Sequence, residues 1–278
     1  MGLTDNAAQL EEGLREKVLK AMDYLEIPLY EKRNDGSNLP VHPINQTHLC
    51  REMKYSDDAS KNAFNPFMLQ ALHEMRVGLY AVLLINHLKI TDKEWKHNMF
   101  TAYLCHDYGK DLIIGPNDCF PINVNHKFGS REETLVKNHV SLDIALGNVF
   151  NPIVTSIIER HHYYRKHDPY PKKPKTLETP EVKYLAQMLG IVDFYDAAST
   201  RINRRTQQSL LGKILGRKFQ SQRSIRNMLF DEYGDQQLSY QGKHLPHAEK
   251  TGRQFIEEMY AHRIFGRKNR LNPFEDIF

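Results

Sequence analysis

Cysteine is scarce in this chain: Cys50, Cys105 and Cys119 are the only three among 278 residues. No two of them have CxxC spacing, which argues against a disulfide framework and against a zinc ribbon. So sparse and odd a set suits a reducing compartment, and a cytoplasmic location is expected. Long apolar runs are missing too. None approaches the roughly 18 residues that a membrane helix needs, so no membrane partner is expected. The opening MGLTDNAAQLEEGLREK has no basic segment followed by an apolar one, and it does not read as a secretory signal. Asn6 stands where a myristoylation motif would carry Ser or Thr. Alternating apolar and polar runs, the mark of half-buried strands, are lacking, and so are internal repeats. Neither sign of charge dominates, since 38 basic and 34 acidic residues leave a net charge of +4.

What the chain has instead is helical periodicity and histidine, 14 of them. In AAQLEEGLREKVLKAMDYL, the residues Leu10, Leu14, Val18, Leu19, Met22 and Leu25 recur at helical spacing and predict one apolar face. A stretch rich in Pro, Asn and Gly follows (PLYEKRNDGSNLPVHPINQTH) and reads as loop. From residue 66 the runs MLQALHEMRVGLYAVLLINHL, WKHNMFTAYLCHDYGK, SREETLVKNHVSLDIALGNVF, PIVTSIIERHHYY and TPEVKYLAQMLGIVDFYDAAST read as successive helices. Ser130 with Glu133 has capping-box spacing, and Thr179 before Pro180 and Glu181 predicts a second helix start. A last amphipathic helix is predicted over 246–266. The fold class expected is all-α. Residues 1–65 are expected to form an N-terminal helix-and-loop extension, 66–206 the helical domain that carries most of the histidines, and 207–278 a C-terminal helical extension packed on it.

Residues 201–226 carry eight Lys or Arg and no acid. Such a run invites a nucleic-acid reading. It lacks interleaved aromatic residues for stacking, and a solvated helix face explains it as well. A helical DNA-binding regulator would also leave the histidines unexplained, so nucleic acid is not the expected partner.

Within AYLCHDYGKDL, His106 and Asp107 stand side by side at the end of an apolar run. Alone, the pair is either a buried hydrogen-bonded couple or one corner of a metal site. Other groups of the same kind lie along the chain: His73, His139, His161, His162 and Asp193, each in or closing an apolar helical segment. A single His on such a face is usually a satisfied core residue. Five His and two Asp in one helical block are harder to explain so, because burying titratable groups is costly unless each is paired or metal-bound. Imidazole with carboxylate and no thiolate suits iron, manganese, zinc or cobalt rather than calcium.

These residues, in order and spacing, resemble the HD superfamily of metal-dependent phosphohydrolases, and within it the HD-GYP branch. The resemblance runs from His73 to Arg205. It rests on His73 with the following MRVGLYAVLLINHL, on HDYGK at 106–110, on His139, on HHYYRKHDPYP at 161–171 and on VDFYDAAST at 192–200. It implies a helical bundle in which His73, His106, Asp107, His139, His161, His162 and Asp193 bind two divalent metal ions. Iron or manganese comes first, with zinc, cobalt, nickel or magnesium as alternatives. Asp107 would bridge the two metals, a hydroxide held between them would attack a phosphoester, and Lys110 would stabilise the charge that develops. A third metal is not expected, because Leu69 occupies the position of the Glu that holds it in some branch members.

The chain departs from the branch pattern HHE-R-x-D-G-x-G-Y-P. Tyr163 replaces the Glu, Lys166 and His167 stand at Asp-Gly, and Pro169 replaces the Gly before Tyr170-Pro171. Pro fixes φ and removes an N–H, so this loop is expected to differ in shape. Ile202 takes the place of a first Arg, while Arg205 keeps the second. Arg201, Arg205 and Tyr170, with Lys110, are the expected substrate contacts. The implied substrate is a small phosphorylated molecule, a nucleotide or a cyclic dinucleotide such as cyclic di-GMP. A di-iron oxygenase on the same scaffold and a non-catalytic nucleotide sensor are the alternatives, and a homodimer stays open.

Overall fold

A computed structural model of the chain describes residues 3–27, 30–32, 38–40, 66–113, 134, 136–141, 150–200, 220–267 and 274. Among them the architecture is mostly α-helical, as the periodicity predicts. Helix α1 spans Leu3–Tyr24, and a hairpin of β1 (Tyr30–Lys32) and β2 (Asn38–Pro40) follows it. Then come α2 (Pro66–His87), α3 (Lys93–Leu104), α4 (Tyr108–Ile113), α5 (Pro152–Arg160) and α6 (Pro180–Thr200). The chain continues with α7 (Gln222–Tyr233), a second hairpin of β3 (Gln237–Tyr240) and β4 (Ala248–Thr251), and α8 (Gly252–Ala261). No helix among the described residues is long and apolar enough to cross a membrane.

The helix starts follow from capping chemistry. Asp92 accepts from Trp95 N ahead of α3, and Asn151 accepts from Val154 N ahead of α5, with Pro152 inside its first turn. Thr179 Oγ1 accepts from Val182 N at 3.2 Å, so α6 begins where Thr179-Pro180-Glu181 predicts. The Ser130–Glu133 spacing lies outside the described residues.

Helices α2 and α6 form the middle of the fold. Each is buried nearly all round, and they pack on each other. Helix α1 covers α2 with Leu14, Val18, Ala21, Met22 and Leu25, all buried. Leu19, expected on that face, is 43% exposed. It lies about 100° around the helix from Val18, beyond the edge of the stripe. Helices α3 and α5 flank the central pair, and α7 packs on α6.

One expected helix is shorter than its pattern. The apolar spacing predicts a single amphipathic helix over 246–266, but Ala248–Thr251 pairs antiparallel with Gln237–Tyr240. The helix begins only at Gly252, where Thr251 and Gln254 form a capping box. Strand pairing satisfies the backbone before the cap, which a periodicity limited to neighbouring residues does not register.

Candidate metal centre

Five segments deliver the His and Asp residues to one place, His139 coming from the described stretch 136–141. His73 projects from α2 and Asp193 from α6. His106 and Asp107 occupy the turn between α3 and α4, and His161 and His162 the turn that ends α5. On a continuous helix, adjacent residues diverge by about 100°. These two breaks free both members of each pair to face inward. All seven side chains are buried, and His106, Asp107, His139 and His161 are 0% exposed.

Their ligand atoms converge. One set contains Asp107, His139, His161 and His162, a second His73, His106 and Asp107, and a third His106, His161 and Asp193. Within each set the atoms lie no more than 4.8 Å apart. Asp107 belongs to the first two sets. His73 Nε2 is 3.0 Å from Asp193 Oδ1 and 3.2 Å from His106 Nε2. His139 Nε2 is 3.2 Å from Asp107 Oδ1, and His106 Nε2 is 3.5 Å from both Asp107 Oδ2 and Asp193 Oδ1.

Second partners orient the rings. His106 Nδ1 donates to Tyr103 O at 2.9 Å, His139 Nδ1 to Val136 O at 2.5 Å and His161 Nδ1 to Ile158 O at 2.6 Å. A carbonyl only accepts, so each of these Nδ1 atoms carries its proton. In the neutral ring, Nε2 is then a lone pair facing inward. A ring pinned through one nitrogen, with the other left for a ligand, is the arrangement of metal-binding histidines. Among the described residues, His139 Nε2, His161 Nε2 and His162 Nδ1 are buried without a hydrogen-bond partner.

Electrostatics agrees with acceptors that wait for a cation. Burial pushes His161 down to about 3, helped by His106 and His139, and it holds His139 and His162 below the usual imidazole range. Burial opposes ionisation of Asp107, but Lys110, His106 and His139 outweigh it and keep the carboxyl far below its ordinary value. Asp193 is likewise held far down, against burial, by His106 and His73. His73 moves up: burial opposes its charge, but hydrogen bonds to Asp193 and Asp196 prevail. Lys110, itself buried, donates to Asp107 Oδ2.

An unpaired acceptor in the interior costs about 1–3 kcal/mol. Three imidazole nitrogens beside two carboxylates therefore carry several kcal/mol of unsatisfied demand for positive charge. The donor set fits metal ions, and these buried groups could hold them.

Several residues of the centre are not among those that the sequence singles out. Asp196 Oδ2 lies 2.8 Å from His73 Nδ1, and Arg76 donates to both oxygens of Asp196 at 2.8 and 2.9 Å. Two glycines set the approach of the backbone. A Cβ on Gly109 would lie 2.1 Å from His139 O, and one on Gly190 2.3 Å from His161 O. A buried Asp one turn after Asp193 was the available clue for Asp196, while Arg76 and the glycines depend on contacts between distant segments.

Of the expected substrate contacts, Tyr170 lies against the centre, its ring 4.4 Å from that of His162. Arg201 and Arg205 lie outside the described residues, as do the other residues from 202 to 219. In the altered loop, Glu159 accepts from Lys175 N and Thr176 N, and Glu232 accepts from Arg165 Nε and His167 N. Two buried carboxylates thus tie residues 165–176 to α5 and α7.

Comparison with protein-family models, with curated proteins and with solved structures finds no match.

Proposed function

We propose that the protein is a metal-dependent phosphohydrolase that acts on a nucleotide-type phosphoester, a cyclic dinucleotide being one candidate. The observation that carries this reading is the convergence of five imidazoles and two carboxylates, with unsatisfied nitrogens aimed at one spot and Lys110 the ammonium beside it. Two divalent ions held there would supply Lewis acidity and activate water for in-line attack on phosphorus.

The chain's own residues do the rest. His73, His106, His139, His161, His162, Asp107 and Asp193 would hold the ions, and Asp107, shared between two ligand sets, is the residue suited to bridge them. Lys110 donates to Asp107 and balances its charge. Cations would take over that role and free the ammonium, which then stands within one side chain of the centre. A dianionic or diester phosphate is the partner such a cation would stabilise as charge builds on its oxygens. Tyr170 bounds the space beside His162 and offers a flat, half-buried ring with a hydroxyl.

Metal analysis of the purified protein tests this, followed by turnover assays on cyclic dinucleotides, mononucleotides and simple phosphodiesters. His106→Ala and Asp107→Ala should lose metal and turnover together. Full metal content and full turnover in Asp107→Ala would overturn the assignment. Turnover that consumes molecular oxygen and releases no phosphate product would replace it with the oxygenase reading.

A further inference from the structure

A second group of metal-ligating side chains lies outside the centre. His87 closes the last turn of α2, and Glu258 and His262 lie four residues apart at the C-terminal end of α8, hence on one face. His87 Nε2 is 2.7 Å from Glu258 Oε1, and the His87 and His262 rings have centroids 4.6 Å apart. One ligand atom from each residue lies within 4.8 Å of the other two. His73 and His87 are 14 positions apart on the same helix, about 21 Å along its axis, so this group is remote from the centre.

A hydrogen bond accounts for His87 and Glu258, but it has no use for a second imidazole. His262 supplies one, and its ring makes no hydrogen bond among the described residues. Glu258 is already oriented as a one-oxygen ligand: Lys250 Nζ donates to Oε2 at 2.5 Å, which leaves Oε1 to the histidines. Hydrogen-bonded carboxylates of this kind are usual among metal ligands. His87 and Glu258 side chains are 16% and 27% exposed, so a hydrated ion reaches them without opening the core.

We propose that His87, Glu258 and His262 form a separate binding site for a zinc-class divalent cation, with water in the fourth position. Two imidazoles and one carboxylate are a donor set that zinc favours in tetrahedral geometry. The 2.7 Å between His87 Nε2 and Glu258 Oε1 needs to open by only some tenths of an ångström to admit the ion, since ligand atoms about 2.0–2.2 Å from zinc stand somewhat over 3 Å apart. The ion would clamp the end of α2 to α8 and thereby the C-terminal hairpin and helix to the central pair.

The experiment is equilibrium dialysis of the full chain against zinc chloride, with bound zinc counted by elemental analysis. Wild type, His87→Ala and His262→Ala are compared. The central groups contribute equally in all three, so the difference reports this site. Wild type is expected to hold one equivalent more than either variant, and zinc is expected to raise its Tm by more. His262→Ala is the decisive variant, because it leaves the His87–Glu258 hydrogen bond intact and removes only an exposed ring. Equal zinc in wild type and His262→Ala would overturn the proposal, and so would a loss confined to His87→Ala. His106→Ala and Asp107→Ala should keep this equivalent, so failure here and failure of the central assignment are distinguishable.

Discussion

Asp196 accepts the Nδ1 proton of His73 at 2.8 Å, and it does so while Arg76 grips both of its oxygens. The carboxylate thereby fixes which nitrogen of His73 faces the centre. Its ionisation is secured against burial mainly by Arg76, with His73 adding to the effect. A ligand histidine held this way is a better base towards a cation, and loss of such support typically costs 10–100-fold in metal affinity. In Asp196→Asn the amide accepts more weakly and can no longer chelate Arg76. Metal affinity, read by competition with a chromophoric chelator, should fall by about that factor while the helices persist by circular dichroism. Unchanged affinity would mean that the contact is incidental.

Lys110→Met separates metal binding from turnover. The methionine keeps most of the buried volume but removes the ammonium that would compete with cations for Asp107. Metal content should therefore be retained or improved. Turnover should drop about 10²–10³-fold, the usual loss when a preorganised donor to a developing oxyanion is deleted. A variant with wild-type turnover would remove Lys110 from the mechanism.

Gly190→Ala sets two effects against each other. Alanine is the better helix former by about 1 kcal/mol, but its Cβ would stand 2.3 Å from His161 O, a backbone atom that cannot swing aside. Overpacking costs about 1–3 kcal/mol, and this overlap lies at the upper end. A net loss of roughly 2 kcal/mol in denaturant unfolding is expected, together with weaker metal binding because His161 shifts. Greater stability in Gly190→Ala would contradict the close approach of α6 to the α5 turn.

Metal removal should destabilise the whole fold, because the acceptors of the centre come from α2, α6, two turns and the stretch around His139. An ion present at 1,000 times its Kd contributes about 4 kcal/mol. For a chain of this size that corresponds to a Tm higher by on the order of 10 °C. Calorimetry before and after chelation, and across a metal titration, checks it. A Tm independent of metal would show that these groups are satisfied without a cation.

Much of this arrangement was legible in the residues taken one after another. Apolar spacing located α1, α2 and α3, Thr179-Pro180-Glu181 marked the start of α6, and the histidines and aspartates stood out as titratable groups in apolar runs. Leu19 and the start of α8 read wrongly for a shared reason: periodicity counts neighbours along the chain, and strand pairing or the edge of a buried face is set elsewhere.

By itself, then, the order of residues determined a helical protein with His and Asp at positions where burial demands a partner. Only the tertiary structure decided that the seven meet. The segments that carry them are up to 120 residues apart, from His73 to Asp193, and it is the packing of α2 against α6, with the turns after α3 and α5 and the stretch around His139, that brings them together. It also decided which nitrogen of each ring points inward, through Tyr103 O, Val136 O, Ile158 O and Asp196. Chelation depends on distance and tautomer, and both are properties of neighbours in space.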